Sequence, residues 1–152
     1  MKKLSLILIL VGMLYATEVK ITSDKMQADE NIKIIDFIGH AHVVQEDSIL
    51  DADKIKVYFD DQNQTKKYDA IGNVKFDVKS SNAHYKGYSQ KLTYLPKKSL
   101  YILVGNANID DLLNKRTIAG EKIILNMISG NAVVNGTKQK PVKVIFQMEN
   151  KK

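Results

Sequence analysis

The sequence predicts an almost wholly β protein built from stacked two-strand repeats. Three observations point there. From Val19 to Phe146 the apolar residues recur with period two, a glycine followed by versions of one short run returns at Gly39, Gly72, Gly105 and Gly130, and brief polar segments separate the apolar stretches. Alternation rich in β-branched and aromatic residues is the pattern of half-buried strands, and no stretch after residue 18 carries the i, i+3, i+4, i+7 stripe of a helix. The glycines are spaced 33, 33 and 25 residues apart, and a period of that size marks units that bury their apolar faces only by stacking.

The chain begins with Met1-Lys2-Lys3, an apolar run from Leu4 to Leu14, and small or polar residues from Tyr15 onward. This is the layout of a secretory signal peptide over residues 1–16 with cleavage after Ala16. The alternative is an uncleaved anchor, although 11 apolar residues fall short of the roughly 20 needed to span a bilayer. One domain follows over residues 17–148, and 149–152 form a charged tail. There is no cysteine, which excludes lipoprotein acylation and disulfides. The full chain carries 23 Lys and Arg against 17 Asp and Glu, and loss of Lys2 and Lys3 would leave a net charge of +4. A mild lysine excess without an arginine run does not point to nucleic acid; it suits a soluble surface or an anionic ligand.

The strands can be taken in order. Ile21 to Ala28 reads as a degenerate leading copy; Ile35, Phe37, Ala41 and Val43 flank the first glycine. Ile55, Val57 and Phe59 alternate with Lys54, Lys56 and Tyr58, and Val74, Phe76 and Val78 alternate with Lys75, Asp77 and Lys79. Leu92 with Tyr94, Leu103 with Tyr101, Ile109, and Ile123 with Leu125 continue the scheme. Asp60 to Thr65, Pro96 to Ser99, Asn114 to Arg116 and Thr137 to Pro141 supply turn chemistry between them. Segments starting Ala52-Asp53-Lys54, Gly87-Tyr88-Ser89-Gln90-Lys91 and Gly120-Glu121-Lys122 also align, each with a small residue ahead of a lysine, so each repeat has one segment entering past a lysine and one leaving through glycine. Glycine suits a bend or a positive φ there.

No catalytic or metal constellation emerges, and no cofactor is expected. His40-x-His42 would set two imidazoles on one strand face, but without a cysteine and with only distant His84 to help, two ordinary strand residues are the simpler reading. Asp60-Asp61 and Asp110-Asp111 are paired carboxylates of the kind that hydrolyse glycosides, yet they fall at turns, where aspartate bonds the local backbone. No Gly-x-Ser-x-Gly elbow is present. Lys54, Lys91 and Lys122 hold equivalent places, either lining the opening of an apolar groove or facing solvent from alternating strands. The first and last strands, around Val19 to Ser23 and Val142 to Phe146, leave open edges able to recruit another strand.

An ordered set of fragments resembles the OstA-like family, the periplasmic A component of the lipopolysaccharide transport machinery. The fragments are Ile21-Thr22-Ser23-Asp24, Phe37-Ile38-Gly39, Val43-Val44-Gln45, Ala52-Asp53-Lys54-Ile55, Gly72-Asn73-Val74 and Leu103-Val104-Gly105-Asn106-Ala107, within a span from Val19 to Ile145. His40 departs from the usual Asn after glycine, and the last step of 25 is short. The resemblance implies an OstA-like β-jellyroll over 17–148, with two antiparallel sheets folded over an apolar groove and open at both ends. It further implies a non-enzymatic carrier of lipopolysaccharide acyl chains that bridges the inner and outer membranes as an end-to-end homo-oligomer joined head to tail.

On that reading the lipid would meet Ile35, Phe37, Val43, Ile55, Val57, Phe59, Val74, Phe76, Leu92, Tyr94, Leu103, Ile109, Ile123 and Leu125. Its phosphates would meet Lys54, Lys91 and Lys122, and edge residues Val19, Ile21, Val142, Val144 and Phe146 would dock the inner- and outer-membrane components of the machinery. Alternatives are the membrane-anchored C component of the same system, which shares the fold, a periplasmic adaptor acting only through its edges, and a β-helical polysaccharide-active enzyme.

Overall fold

The structure is a computed structural model that describes residues 18–148; the expected signal peptide and charged tail lie outside the described residues. The described residues hold ten strands: β1 Val19–Thr22, β2 Lys25–Asp29, β3 Ile34–Gln45, β4 Ser48–Phe59, β5 Thr65–Ser80, β6 Ala83–Leu95, β7 Leu100–Asp111, β8 Arg116–Asn126, β9 Asn131–Asn135 and β10 Lys143–Phe146. They form one continuous antiparallel sheet in the order β1-β3-β4-β5-β6-β7-β8-β10, with β2 also paired to β3 and β9 also paired to β8.

The two-layer architecture follows from a kink across the middle of every long strand. Register shifts fall between Ile38 and Ala41, Asp51 and Lys54, Ile71 and Val74, Tyr88 and Lys91, and Val104 and Ala107. At three of these sites consecutive residues turn left-handed: Gly39 with His40 (φ +82°, +48°), Gly72 with Asn73 (+83°, +48°) and Gly105 with Asn106 (+87°, +53°). Only glycine enters that region without cost, and Asn or His is tolerated beside it. Sequence order matters less than register. β1 pairs with the half of β3 after the kink and β2 with the half before it, while β10 and β9 divide β8 in the same way. Thus β1–β2 and β9–β10 are the interrupted first and last rungs of a ladder folded along its midline.

Each kink is clasped from the neighbouring rung. A Cβ on Gly39 would lie 2.5 Å from Asp24 Oδ2, and one on Gly105 would lie 2.7 Å from Gln90 Cβ. Asp24 Oδ2 is 2.8 Å from His40 Nδ1, and Asn73 Nδ2 donates to Asp53 Oδ2 at 3.0 Å. Hydroxyls of Ser23 and Ser89 donate to the carbonyls of Lys25 and Lys91, both at 3.0 Å. The small-acid-lysine and Gly-Asn motifs are therefore two sides of one bend, which is why they recur together.

The last copy of the glycine motif is corrected by the structure. Gly130 lies in the turn before β9, donating its N–H to the Asn126 carbonyl with nothing within 4 Å of its Cβ position. Because Asn135 pairs with Lys122, the residue opposite the Glu121 bend is Gly136, 31 residues after Gly105. The bend there widens into residues 136–142 before pairing resumes at Lys143 opposite Ala119. The short step of 25 residues had matched a turn to a bend.

Candidate functional site

The apolar interior between the layers is built as rows of side chains running across the rungs. Next to the kinks lie Ala41 opposite Ala52, Val74 opposite Ser89 and Ala107 opposite Gly120, all of them buried. Small residues belong where two layers converge, since nothing larger fits in low-energy rotamers. One step further out on one layer, Phe37, Ile55, Ala70, Leu92, Leu103 and Ile123 follow one another in register and are buried. One step further on the other layer, Ile21, Val43, Leu50 and Phe76 are half-buried against the same core. Gly87 comes next, and a Cβ there would lie 2.5 Å from Phe76 Cζ, so the ring lies over the glycine.

The outer part of the first layer, beyond the row from Phe37 to Ile123, carries an aromatic ladder. Tyr68, Tyr94 and Tyr101 stack with ring centroids 5.8 Å and 4.4 Å apart. Burial pushes the Tyr68 and Tyr101 hydroxyls up to about 12, so both stay neutral at any physiological pH.

All fourteen residues expected on the inner face lie there. Phe37, Ile55, Val57, Phe59, Val74, Leu92, Leu103, Ile109 and Ile123 are buried core, whereas Ile35, Val43, Phe76, Tyr94 and Leu125 are half-buried and pack against it. Alternation overlooked Leu50, Tyr68, Tyr85, Ile118 and Val134, which share that interior with Tyr101. A signal for them existed in the phase. Inner positions on β4 are even up to Ala52 and odd from Ile55, because Asp53 takes an extra place at the bend.

Several expected roles resolve differently. Lys54, Lys91 and Lys122 do not line an opening to the interior: they stand with Lys25 on the outer face, in a row alternating with Ile38, Ile71 and Val104. Strand alternation dictates it, since Ile55, Leu92 and Ile123 point inward from the next positions. Their stems cover apolar neighbours, and Lys54 Nζ lies 4.0 Å from Asp36 Oδ1. His40 and His42 do not share a site, because the left-handed bend at His40 separates them. His40 pairs with Asp24, and His42 Nδ1 lies 2.5 Å from Asp51 Oδ1. His84 Nε2 is 2.7 Å from Asp77 Oδ1.

The paired carboxylates serve turns. Asp60 accepts backbone N–H groups of Gln62 and Gln64 and the Lys97 ammonium, and the Gln64 N–H, with that ammonium, holds its carboxyl below the ordinary range. Asp110 accepts the Thr117 hydroxyl, while Asp111 accepts Asn114 and Arg116. Among the described residues no three metal-ligating side chains gather, and no helix is long and apolar enough to cross a membrane.

The edge residues stand at the two ends of the ladder. Val19 and Ile21 lie on β1, Val144 and Phe146 on β10, and Val142 just before it; Val144 is 52% and Phe146 60% exposed. Each end strand is paired along one edge only.

Comparison with known proteins places these features in context. The family model described as LptA/(LptD N-terminal domain) LPS transport protein matches residues 20–131. A solved structure, LptH, the LptA homologous periplasmic component of the conserved lipopolysaccharide transport device from Pseudomonas aeruginosa, is similar with a TM-score of 0.73 at 14% identity. The match covers 86% of this chain and 96% of that one, a likeness of fold. No curated protein sequence matches the chain.

Proposed function

The chain belongs to the family described as LptA/(LptD N-terminal domain) LPS transport protein, and from that premise we propose that it is a non-enzymatic periplasmic carrier of lipopolysaccharide. Acyl chains enter between the layers, and copies joined end to end carry the lipid between the inner- and outer-membrane components of the machinery. The observation that carries this reading is that the inner rows are apolar through successive rungs and each layer finishes exposed at one end of the ladder, at Met26 on β2 and at Val144 on β10.

Burying one methylene contributes about 0.8 kcal/mol, so even a partly shielded acyl chain is held firmly without any polar contact. Access is graded by depth. Val74 and Ile123 have no exposed surface and belong to the dry line of the fold. The half-buried Ile35, Val43, Phe76, Tyr94 and Leu125 meet a lipid first, when the layers part. The lysine row on the outer face leaves lipid phosphates to be met elsewhere.

Photo-crosslinking tests the path. A benzophenone amino acid placed at Val43, Phe76 or Tyr94, in cells making labelled lipopolysaccharide, is expected to give lipid adducts, and outward-facing Lys75 is not. Absence of adducts at all three inner sites in a folded, exported protein would leave a dry core and an adaptor acting through its edges.

A further inference from the structure

We infer that opposite charges on the two ends of the ladder set the polarity of its assembly, the basic C-terminal rung of one copy seating on the acidic N-terminal rung of a second copy of this chain. The inference rests on the end-to-end reading above, whose head-to-tail order the family resemblance already implies, and adds the charge that sets that order.

Charge changes steadily along the stack. Residues 18–47, which form β1 to β3, carry seven carboxylates against three lysines, a net −4. Residues 48–82 are balanced at six against six. Residues 83–115 carry two carboxylates against five lysines, a net +3. Residues 116–148, which form β8 to β10, carry Glu121 alone against Arg116, Lys122, Lys138, Lys140 and Lys143, a net +4. Because the rungs stack in chain order, this linear gradient becomes a spatial one with its extremes at the two open edges.

Hydrogen-bonding direction does not choose the joint. An antiparallel edge can pair with the opposite end of another copy, but also with its own two-fold image, giving closed pairs instead of a chain. Charge does choose. Two N-terminal ends would bring −4 against −4 and two C-terminal ends +4 against +4, whereas head to tail brings opposite signs together. Local placement agrees. Asp24 occupies the bend of the first rung with His40 on one side and the open edge on the other; Lys138 and Lys140 lie in the widened bend of the last rung. The exposed apolar side chains of Val144, Ile145 and Phe146 supply contact area, and the charges supply direction.

The test exchanges the signs. Lys138→Glu, Lys140→Glu and Lys143→Glu together make both ends acidic; Glu18→Lys, Glu46→Lys and Asp47→Lys together make both ends basic, and none of these six clasps a bend. By sedimentation at about 0.01 M salt, where the screening length is about 30 Å, the wild-type protein is expected to form chains. Each variant alone is expected to associate at least about 10-fold more weakly, and an equimolar mixture to form chains in which the two variants alternate. Chain formation in the mixture also proves both variants folded. Should either variant lose its β circular dichroism, the neutral set Lys138→Gln, Lys140→Gln and Lys143→Gln replaces it, with weaker association expected. Wild-type chains with variants that assemble equally well, or a mixture without rescue, would overturn the charge-set polarity while leaving end-to-end assembly standing. A wild-type protein that stays monomeric at every concentration would overturn both.

Discussion

The line of bends and the outer part of the interior are built from the same strands, yet they obey different rules. Along the bends the residues are small and dry: Ala41, Val74 and Ala107 are at most 1% exposed, and Gly39, Gly72 and Gly105 are each clasped by a side chain of the neighbouring rung. Farther out, Phe76, Tyr85, Tyr94 and Tyr101 are large and half-buried against the core, and Tyr94 stacks on Tyr101. The difference teaches that rigidity and capacity are separated within each strand. The bend joins the two layers, and on the proposed reading the half-buried outer rows exchange protein contacts for a ligand's.

The contrast breaks most completely at the bend line. Val74→Asp places a charge at a position with no exposure and is expected to cost about 4 kcal/mol or more, leaving the chain unfolded in a urea titration followed by circular dichroism. Next in size, Gly105→Val combines a φ of +87° with collision against Gln90, an expected loss of about 3 kcal/mol. Gly130→Ala, at a similar φ but with open space around it, is expected to cost only about 1 kcal/mol, so the pair separates the clasp from the backbone term.

At the outer rows, Phe76→Ala is expected to cost about 1–2 kcal/mol, less than a fully buried phenylalanine, because the ring is half-exposed. The same variant is expected to lower lipid crosslinking from Tyr94 while the fold persists. Equal losses of stability from Val74→Ala and Phe76→Ala, corrected for size, would erase the distinction between the two zones.

The smallest effect is electrostatic and lies at the first bend. A hydrogen bond to Asp24, reinforced by its charge, holds the His40 imidazole above its ordinary 6.5. A raised value in the folded state means that this pair contributes its full stability below pH 6.5 and loses it as pH rises through the folded value. Proton NMR of His40 should therefore show a midpoint above 6.5 that returns toward 6.5 in Asp24→Asn. An unchanged midpoint would mean that the contact is not made in solution.

Much of this was legible in the linear pattern, and the exceptions share a cause. Every inner residue inferred from alternation is inner, because period two is a local property of an extended backbone. Leu50, Tyr85 and Ile118 escaped because the bend at Asp53, Gln90 or Glu121 shifts the phase by one residue, and the eye follows the stronger run after it. The three lysines repeat faithfully, but repetition fixes equivalence and not the side of the sheet; the inward Ile55, Leu92 and Ile123 decide that. Gly130 was matched to the bends by its Gly-Asn dipeptide, yet only pairing with Lys122 identifies Gly136 as the residue opposite Glu121.

By itself the amino-acid sequence determined the strands, their turns, the recurrence of a bend in each, and an apolar content sufficient for one continuous interior, since all of these arise from backbone preferences and alternation among near neighbours. Tertiary structure decided which half of a strand joins which layer, which inner residues are sealed and which half-buried, and which charges end up at the two ends. Those properties depend on register between rungs some 30 residues apart in sequence, and a bend that inserts a residue in one strand has no meaning until its partner is in place.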